Sequence, residues 1–204
     1  MNNQKLISTI LNKAANKKRF FLAIAGPPAS GKTTLSESLA KELSKQTSVA
    51  VVAMDGFHYD NSILQDQNLL DRKGAPQTFD VGGLHLLLSG LVDQTNTLAA
   101  PVFDRSQDLS RSSAYLIHPE DHIILVEGNY LLCNTAPWNT LHSFFDMSIS
   151  LDVSLTELEK RLVQRWLDHD HTQAEAVQRA NSNDIPNAKY VLQNAREADY
   201  KLVS

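Results

Sequence analysis

Residues 20–34 read Phe-Phe-Leu-Ala-Ile-Ala-Gly-Pro-Pro-Ala-Ser-Gly-Lys-Thr-Thr, and this stretch decides the fold. Six apolar residues, Phe20 to Ala25, run without a break, as in a strand covered on both faces. They stop at Gly26, and Leu35, Leu39 and Leu43 then recur at i, i+4, the stripe of an amphipathic helix over 32–46. Between the two, Gly26-Pro27-Pro28-Ala29-Ser30-Gly31-Lys32-Thr33 satisfies G-x-x-x-x-G-K-[ST] in full. Glycines let the backbone wrap closely around phosphate oxygens, with amide hydrogens pointing inward beside a helix N-terminus. Lys32 is expected to bridge the β and γ oxygens of a nucleotide. The Thr33 hydroxyl is expected to bind Mg²⁺, and Thr34 to reach the α-phosphate. The alternative is a Gly-rich strand-to-helix turn with no ligand.

Outward from this stretch the chain alternates in the same way. Leu6, Ile7, Ile10, Leu11 and Ala14 mark an N-terminal helix within 1–17. Residues 49–54 form a second buried-strand run, stopped by Asp55-Gly56. Residues 61–70 and 81–92 look helical, separated by the basic stretch Arg72-Lys73-Gly74-Ala75-Pro76, and 97–118 read as an irregular hairpin over the sheet. A third strand, 123–126, runs straight into Glu127-Gly128, and a fourth spans 145–151. A helix over 154–167 opens with a Ser154/Glu157 capping box. Residues 172–196 are mostly helical, and 200–203 could close the sheet. Such alternation predicts an α/β, three-layer fold with a mainly parallel five-stranded sheet and helices on both faces. Ligands bind at the carboxyl ends of such strands, so Gly26, Asp55 and Glu127 should converge there.

Composition narrows the function classes. A chain of 204 residues is sized for one α/β domain, and 19 Lys plus Arg against 23 Asp plus Glu leave a net charge of −4. That balance gives no bulk attraction to nucleic acid or anionic lipid, and the basic run Lys17-Lys18-Arg19 is a weak local candidate. The one cysteine, Cys133, excludes an internal disulfide and reads as a small core or loop residue. No apolar run approaches a membrane span, and the N-terminus lacks the pattern of a signal peptide, so a cytoplasmic location is expected. The histidines show no metal-ligand spacing.

Asp55, just past the second strand, should face the phosphate loop, where a carboxylate can accept a hydroxyl proton and align the oxygen with the γ-phosphate. Asp-Gly is also ordinary turn chemistry. Glu127 would hold Mg²⁺ through water. Arg161 and Arg165 lie one turn apart and can reach the same ligand, although Glu157 and Arg161 also form an i, i+4 pair. No Asn-Lys-x-Asp base-reading motif follows the loop, and Leu88-Ser89-Gly90-Leu91 stops short of a transporter signature.

Five segments then occur in order: 26–34, Met54-Asp55-Gly56-Phe57-His58, Phe79-Asp80, Pro101-Val102-Phe103-Asp104 and Val126-Glu127-Gly128-Asn129-Tyr130. With the Arg161/Arg165 helix, they resemble the superfamily of uridine kinase, phosphoribulokinase and bacterial pantothenate kinase. Within it, 72–80 and 164–169 resemble short bacterial members labelled fructose-transport-system or nucleoside-kinase-like. The resemblance implies an ATP- and Mg²⁺-dependent kinase acting on a hydroxyl of a small metabolite, a fructose-like sugar before uridine-like nucleosides or pantothenate. It implies that Asp55 activates the acceptor and that Arg161 and Arg165 belong to a helical lid at about 161–183. An acceptor region at about 72–118 follows from it as well. Asp80 is carried to a position that binds acceptor hydroxyls. Phe103, Asp104 and Arg105 fall against the substrate, Phe103 standing where the usual residue is Tyr. His58, Tyr59, Arg72, Lys73, Arg111 and Tyr130 join the candidate substrate-binding residues, and several cations there would suit an acceptor with a phosphate or carboxylate. The alternative is a regulatory module that binds or hydrolyses ATP without a small-molecule acceptor. No role is assigned to Asn183, Asp184, Asn187 or Arg196, and the oligomeric state is left open.

Overall fold

The unbroken run of 20–25 becomes β1 (Phe20–Ala25), and the parity of its side chains divides the core in two. The structure is a computed structural model that describes residues 3–93 and 95–203. Around β1 the chain forms α1 (Asn3–Ala14), α2 (Lys32–Leu43), β2 (Val49–Ala53), α3 (Asn61–Asp66), α4 (Val81–Asp93), β3 (Leu98–Asp104), β4 (Leu109–Ile117), β5 (Ile123–Gly128), β6 (Met147–Asp152), α5 (Leu155–Leu167), α6 (Gln173–Arg179), α7 (Ile185–Asn194) and β7 (Tyr200–Val203). Phe20, Leu22 and Ile24 face α1 and α2, where they meet Leu6, Ile10, Leu39 and Leu43. Phe21, Ala23 and Ala25 face the other side, against Leu84, Leu88 and Leu91 of α4 and Val191 of α7. A strand flanked on both faces has no polar side, which is why its sequence does not alternate.

Five strands form one parallel sheet in the order β2-β5-β1-β6-β7. The chain leaves β1 for β2 on one side, and later crosses from β5 to β6 on the other. Opposed connections of this kind open a crevice at the carboxyl ends of the strands. Register fixes what stands there. Glu127 pairs with Ile24 of β1 and with Ala53 of β2, so Gly26 and Asp55, each two residues further on, flank it.

Several expected boundaries move. The strand at 49–54 stops at Ala53, because Met54 opens a 3-10 turn, Met54–Phe57, that carries Asp55. The helix expected over 61–70 ends at Asp66, where Asn68 takes a positive φ of 55° before a 3-10 turn at Leu70–Arg72. The strand expected at 145–151 starts at Met147, since Asp146 is drawn to β1: its carboxylate accepts the Phe21 amide at 2.9 Å. Ser154 caps α5 as expected, accepting from the Glu157 amide at 3.3 Å, while the Glu157 carboxylate takes Arg161 at 2.8 Å. A complete capping box instead opens α6, between Thr172 and Glu175. The hairpin expected within 97–118 is a separate two-stranded antiparallel sheet, β3-β4, irregular between Ala100 and Val102.

Arg19 is internal rather than part of a basic surface. It is 5% exposed and donates to the carbonyls of Asp121, Leu91, His118 and Pro119 at 2.6–2.9 Å. Lys17 pairs with Asp146 at 2.9 Å, so two of the three cations in that run already have partners. Cys133 lies in the core, where burial pushes its thiol up to about 12. Among the described residues, no helix is long and apolar enough to cross a membrane.

Candidate active site

The phosphate loop is built where β1 ends and α2 begins. Gly31 has φ 95° and ψ 17°, a left-handed conformation that a side chain resists, and it caps α2 without a side-chain bond. The first amides of α2 therefore have no carbonyl behind them and point out of the helix toward an anion. Ser30 Oγ is buried with no partner, a second polar group in the loop left open. Lys32 is buried, its Nζ donating to the Pro27 carbonyl at 2.9 Å. Burial pulls its pKa down to about 8, against the attraction of Glu127 and Asp55. Unpartnered amides, a free hydroxyl and a desolvated ammonium together fit a polyphosphate.

Thr33 Oγ1 donates to Glu127 Oε1 at 3.3 Å. Glu127 is 6% exposed, and burial, then the nearby Asp55 charge, push its carboxyl above the usual range. No group of three or more His, Cys, Asp or Glu that could hold a metal occurs among the described residues. A hydroxyl beside one buried carboxylate fits Mg²⁺ that keeps water and phosphate oxygens as most of its ligands.

Asp55 stands across the crevice on its 3-10 turn. Lys32 feels Glu127, Asp55, Arg105 and Arg165 together, so these five side chains share one electrostatic neighbourhood. Asp55 Oδ2 accepts Arg105 Nη2 at 3.0 Å, and Arg105 is itself mostly exposed. Gly56 is demanded by its neighbour: a Cβ there would collide with the Pro101 carbonyl of β3. His58 donates Nδ1–H to the Asp55 carbonyl at 2.7 Å, and burial lowers its pKa, so the ring is neutral at pH 7. That ring packs at 4.0 Å from Phe79 and 4.7 Å from Phe103, with Lys73 Nζ 5.0 Å over Phe103.

The remaining substrate candidates divide. Lys73 joins this group but is already engaged by Asn61 Oδ1 at 2.6 Å and Asp108 Oδ2 at 3.0 Å. Arg111 pairs with Asp104 at 3.4 Å. Asp104 shapes the hairpin turn, accepting from Ser106 Oγ at 2.6 Å and from the amides of Ser106 and Gln107. Asp80 caps α4: its Oδ1 accepts the Gly83 amide at 2.8 Å. Tyr130 is fully buried with its hydroxyl donated to the Gly74 carbonyl at 2.6 Å, so it backs the wall of the cleft rather than lining it. Arg72 does not join the group either, and borders a different cavity.

On α5, Arg165 points at the crevice and is held by Asp184 Oδ1 at 3.2 Å, while Trp166 Nε1 donates to the other oxygen at 2.6 Å. Arg179 lies 5.0 Å over the Trp166 ring. Arg161 pairs with Glu157 at 2.8 Å. Asp184 carried no assignment in the sequence, and no periodicity reveals it, because a π turn at Ala180–Asp184 precedes α7 and sets the angle of its side chain. A second feature escaped as well. A cavity of about 190 Å³ adjoins Gly26 and Pro27, lined further by Asn129, Leu192, Arg196 and Lys201, and buried Arg196 Nε has no partner.

A family model described as "Phosphoribulokinase / Uridine kinase family" matches residues 21–201. The chain is 34% identical over 186 residues to the protein YggC of Escherichia coli K12, covering 90% of this chain and 77% of that one. It is 30% identical over 159 residues to the pantothenate kinase of Brucella ovis, covering 74% of this chain and 48% of that one. A solved structure from Silicibacter sp. TM1040, named a "putative fructose transport system kinase", superposes with a TM-score of 0.94 at 40% identity over 99% of both chains.

Proposed function

Because the chain belongs to the phosphoribulokinase and uridine kinase family, kinases that act on hydroxyl acceptors, we propose that it moves the γ-phosphate of ATP to a hydroxyl of a small sugar, fructose-like before a nucleoside or a pantothenate-like acid. The observation that carries the reading is that Asp55, two residues past the Ala53 partner of Glu127, shares the electrostatic neighbourhood of Lys32 and Glu127. Asp55 orients the acceptor hydroxyl and takes its proton as the oxygen attacks phosphorus. The loop amides and Lys32 cradle the β and γ oxygens, and the cavity beside Gly26 and Pro27 receives the nucleobase. Thr33 and Glu127 would hold Mg²⁺, which when bound would offset negative charge on the phosphate groups. Arg165, with Arg161 behind it, closes over the transferring group as part of a helical lid and excludes water.

The choice of a neutral acceptor rests on pairing. Lys73, Arg105 and Arg111 each face a carboxylate, Asp108, Asp55 and Asp104, so the mouth offers neutralised pairs instead of a net positive pocket. Lys73, paired with Asp108, over the Phe103 ring that packs on His58 suits a polyhydroxyl body with an apolar face. Phe103 lacks the phenol that would reach a base edge.

Screening ADP release across sugars, nucleosides and pantothenate tests this. One sugar is expected to raise turnover sharply, and Asp55→Asn to lower that turnover by roughly 10²–10⁴-fold while leaving nucleotide affinity within about twofold. Turnover independent of any acceptor and indifferent to Asp55→Asn would instead favour an ATP-hydrolysing regulatory module.

A further inference from the structure

Gln173 to Asn194 form one helical run, α6 into α7, interrupted by the π turn Ala180–Asp184. Turns of this kind are rare inside helices and often mark functional sites. In this one, three successive residues reach outside the run. The Ser182 carbonyl accepts Arg72 Nη1 at 3.3 Å, and Asn183 Nδ2 donates to the Lys73 carbonyl at 2.7 Å. Asp184 takes Arg165 on one oxygen and Trp166 on the other. Asn187, one turn on, donates to Asn183 Oδ1 at 3.3 Å and fixes which way that amide faces.

Segment 72–75 continues the path. Lys73 Nζ bonds Asn61 Oδ1 and Asp108 Oδ2 and lies over the Phe103 ring. Asp108 stands with Arg105 on the turn between β3 and β4, and Arg105 holds Asp55 at 3.0 Å. Named contacts thus run from Arg165 around the crevice to Asp55, with Asn183 joining the helical module to the segment beside Phe103. One end of this path moves. Asp184 is 7% exposed, and a γ-phosphate that takes Arg165 from it leaves a buried carboxylate on Trp166 alone, so the turn must readjust. An N–H···O bond of 2.7 Å is at the short limit and cannot tighten, so any shift of the turn lengthens the bond to Lys73. We propose that Asn183 is a positioning residue that makes the acceptor side answer to the γ-phosphate. As Arg165 passes from Asp184 to a phosphate oxygen, the π turn shifts, and segment 72–75 slackens to admit the acceptor after the nucleotide. This coupling rests on Arg165 closing over the γ-phosphate as part of the kinase reading.

The four amides of 72–75 are bonded in turn to Leu69, Leu70, Thr78 and Arg72, so their exchange with deuterium requires local opening. Mass spectrometry of that segment is the readout, with Mg²⁺ and either ADP or the β,γ-imido analogue of ATP as probes. The analogue is expected to speed exchange at 72–75 by about fivefold or more over ADP. Arg165→Met and Asn183→Ala are each expected to erase that difference, and Arg165→Met decides the matter should Asn183→Ala not fold. A merely structural tie would raise exchange in Asn183→Ala equally with both nucleotides, so a difference that survives either substitution would overturn the coupling. Both nucleotides binding, with equal or slower exchange under the analogue, would overturn the coupling alone. Binding of neither would overturn it together with the kinase reading.

Discussion

The sheet and the α5–α7 module position their functional groups by different means. Glu127 and the phosphate loop sit on β5 and β1, strands buried along their whole length and locked by register to two neighbours each. Arg165 sits on a module whose own core holds six buried residues, Val153, Leu158, Leu162, Ala180, Ile185 and Ala188. Its direction is set by the Asp184 carboxylate, itself held by Trp166 Nε1, and a phosphate oxygen can replace that carboxylate as the partner of Arg165. Burial fixes the phosphate loop and Glu127 in place, and an exchangeable polar contact holds Arg165, the arrangement that the proposed closure needs.

The sharpest way to break that comparison is by cavity. Leu22→Ala, between α1, α2 and the sheet, is expected to cost about 3–5 kcal/mol in urea unfolding. Leu162→Ala in the smaller core is expected to cost about 2–3 kcal/mol and to speed amide exchange in α5–α7 before the sheet. Equal exchange in both regions would remove the distinction. Next in size, Arg165→Ala is expected to lower kcat about 10²-fold while changing stability by under about 1 kcal/mol, since its partner Asp184 keeps the Trp166 bond. A stability loss matching the kinetic loss would make Arg165 a structural tie.

The smallest effect concerns protons. Lys32 titrates at about 8 in the free protein, and a bound polyanion raises that value by favouring the charged form. Between the two values the free lysine is neutral and the bound one charged. Nucleotide binding near pH 8 should therefore take up a fraction of a proton, and affinity should fall as pH rises above about 8. Calorimetry in two buffers of different ionisation heat measures the uptake, which should vanish in Lys32→Met.

The two regions also differ in how far they can be read from sequence. The continuous runs at 20–25 and 123–126 need two covered faces, and the loop motif needs a strand before it and a helix after it, so pattern and chemistry agree. Asp80 and Thr172 did carry local signals: each stands immediately before a helix, and Thr172 has Glu175 three residues on. Asp80 Oδ1 serves as the cap of α4, a role that a local pattern reports, while its reading as an acceptor ligand rests on the resemblance alone. Arg165 and Asp184 meet across 19 residues and a π turn, and no spacing rule reports such a pair.

The bare Cα of Gly56 against the Pro101 carbonyl has one more implication. The turn bearing Asp55 and the β3-β4 arm share a joint with no side chain to act as a cushion, so they shift as one piece. Re-engineering the arm to admit a bulkier guest would drag the Asp55 carboxylate off its line, and a swap that leaves that carboxylate in place must carry residues 54–58 along with the arm.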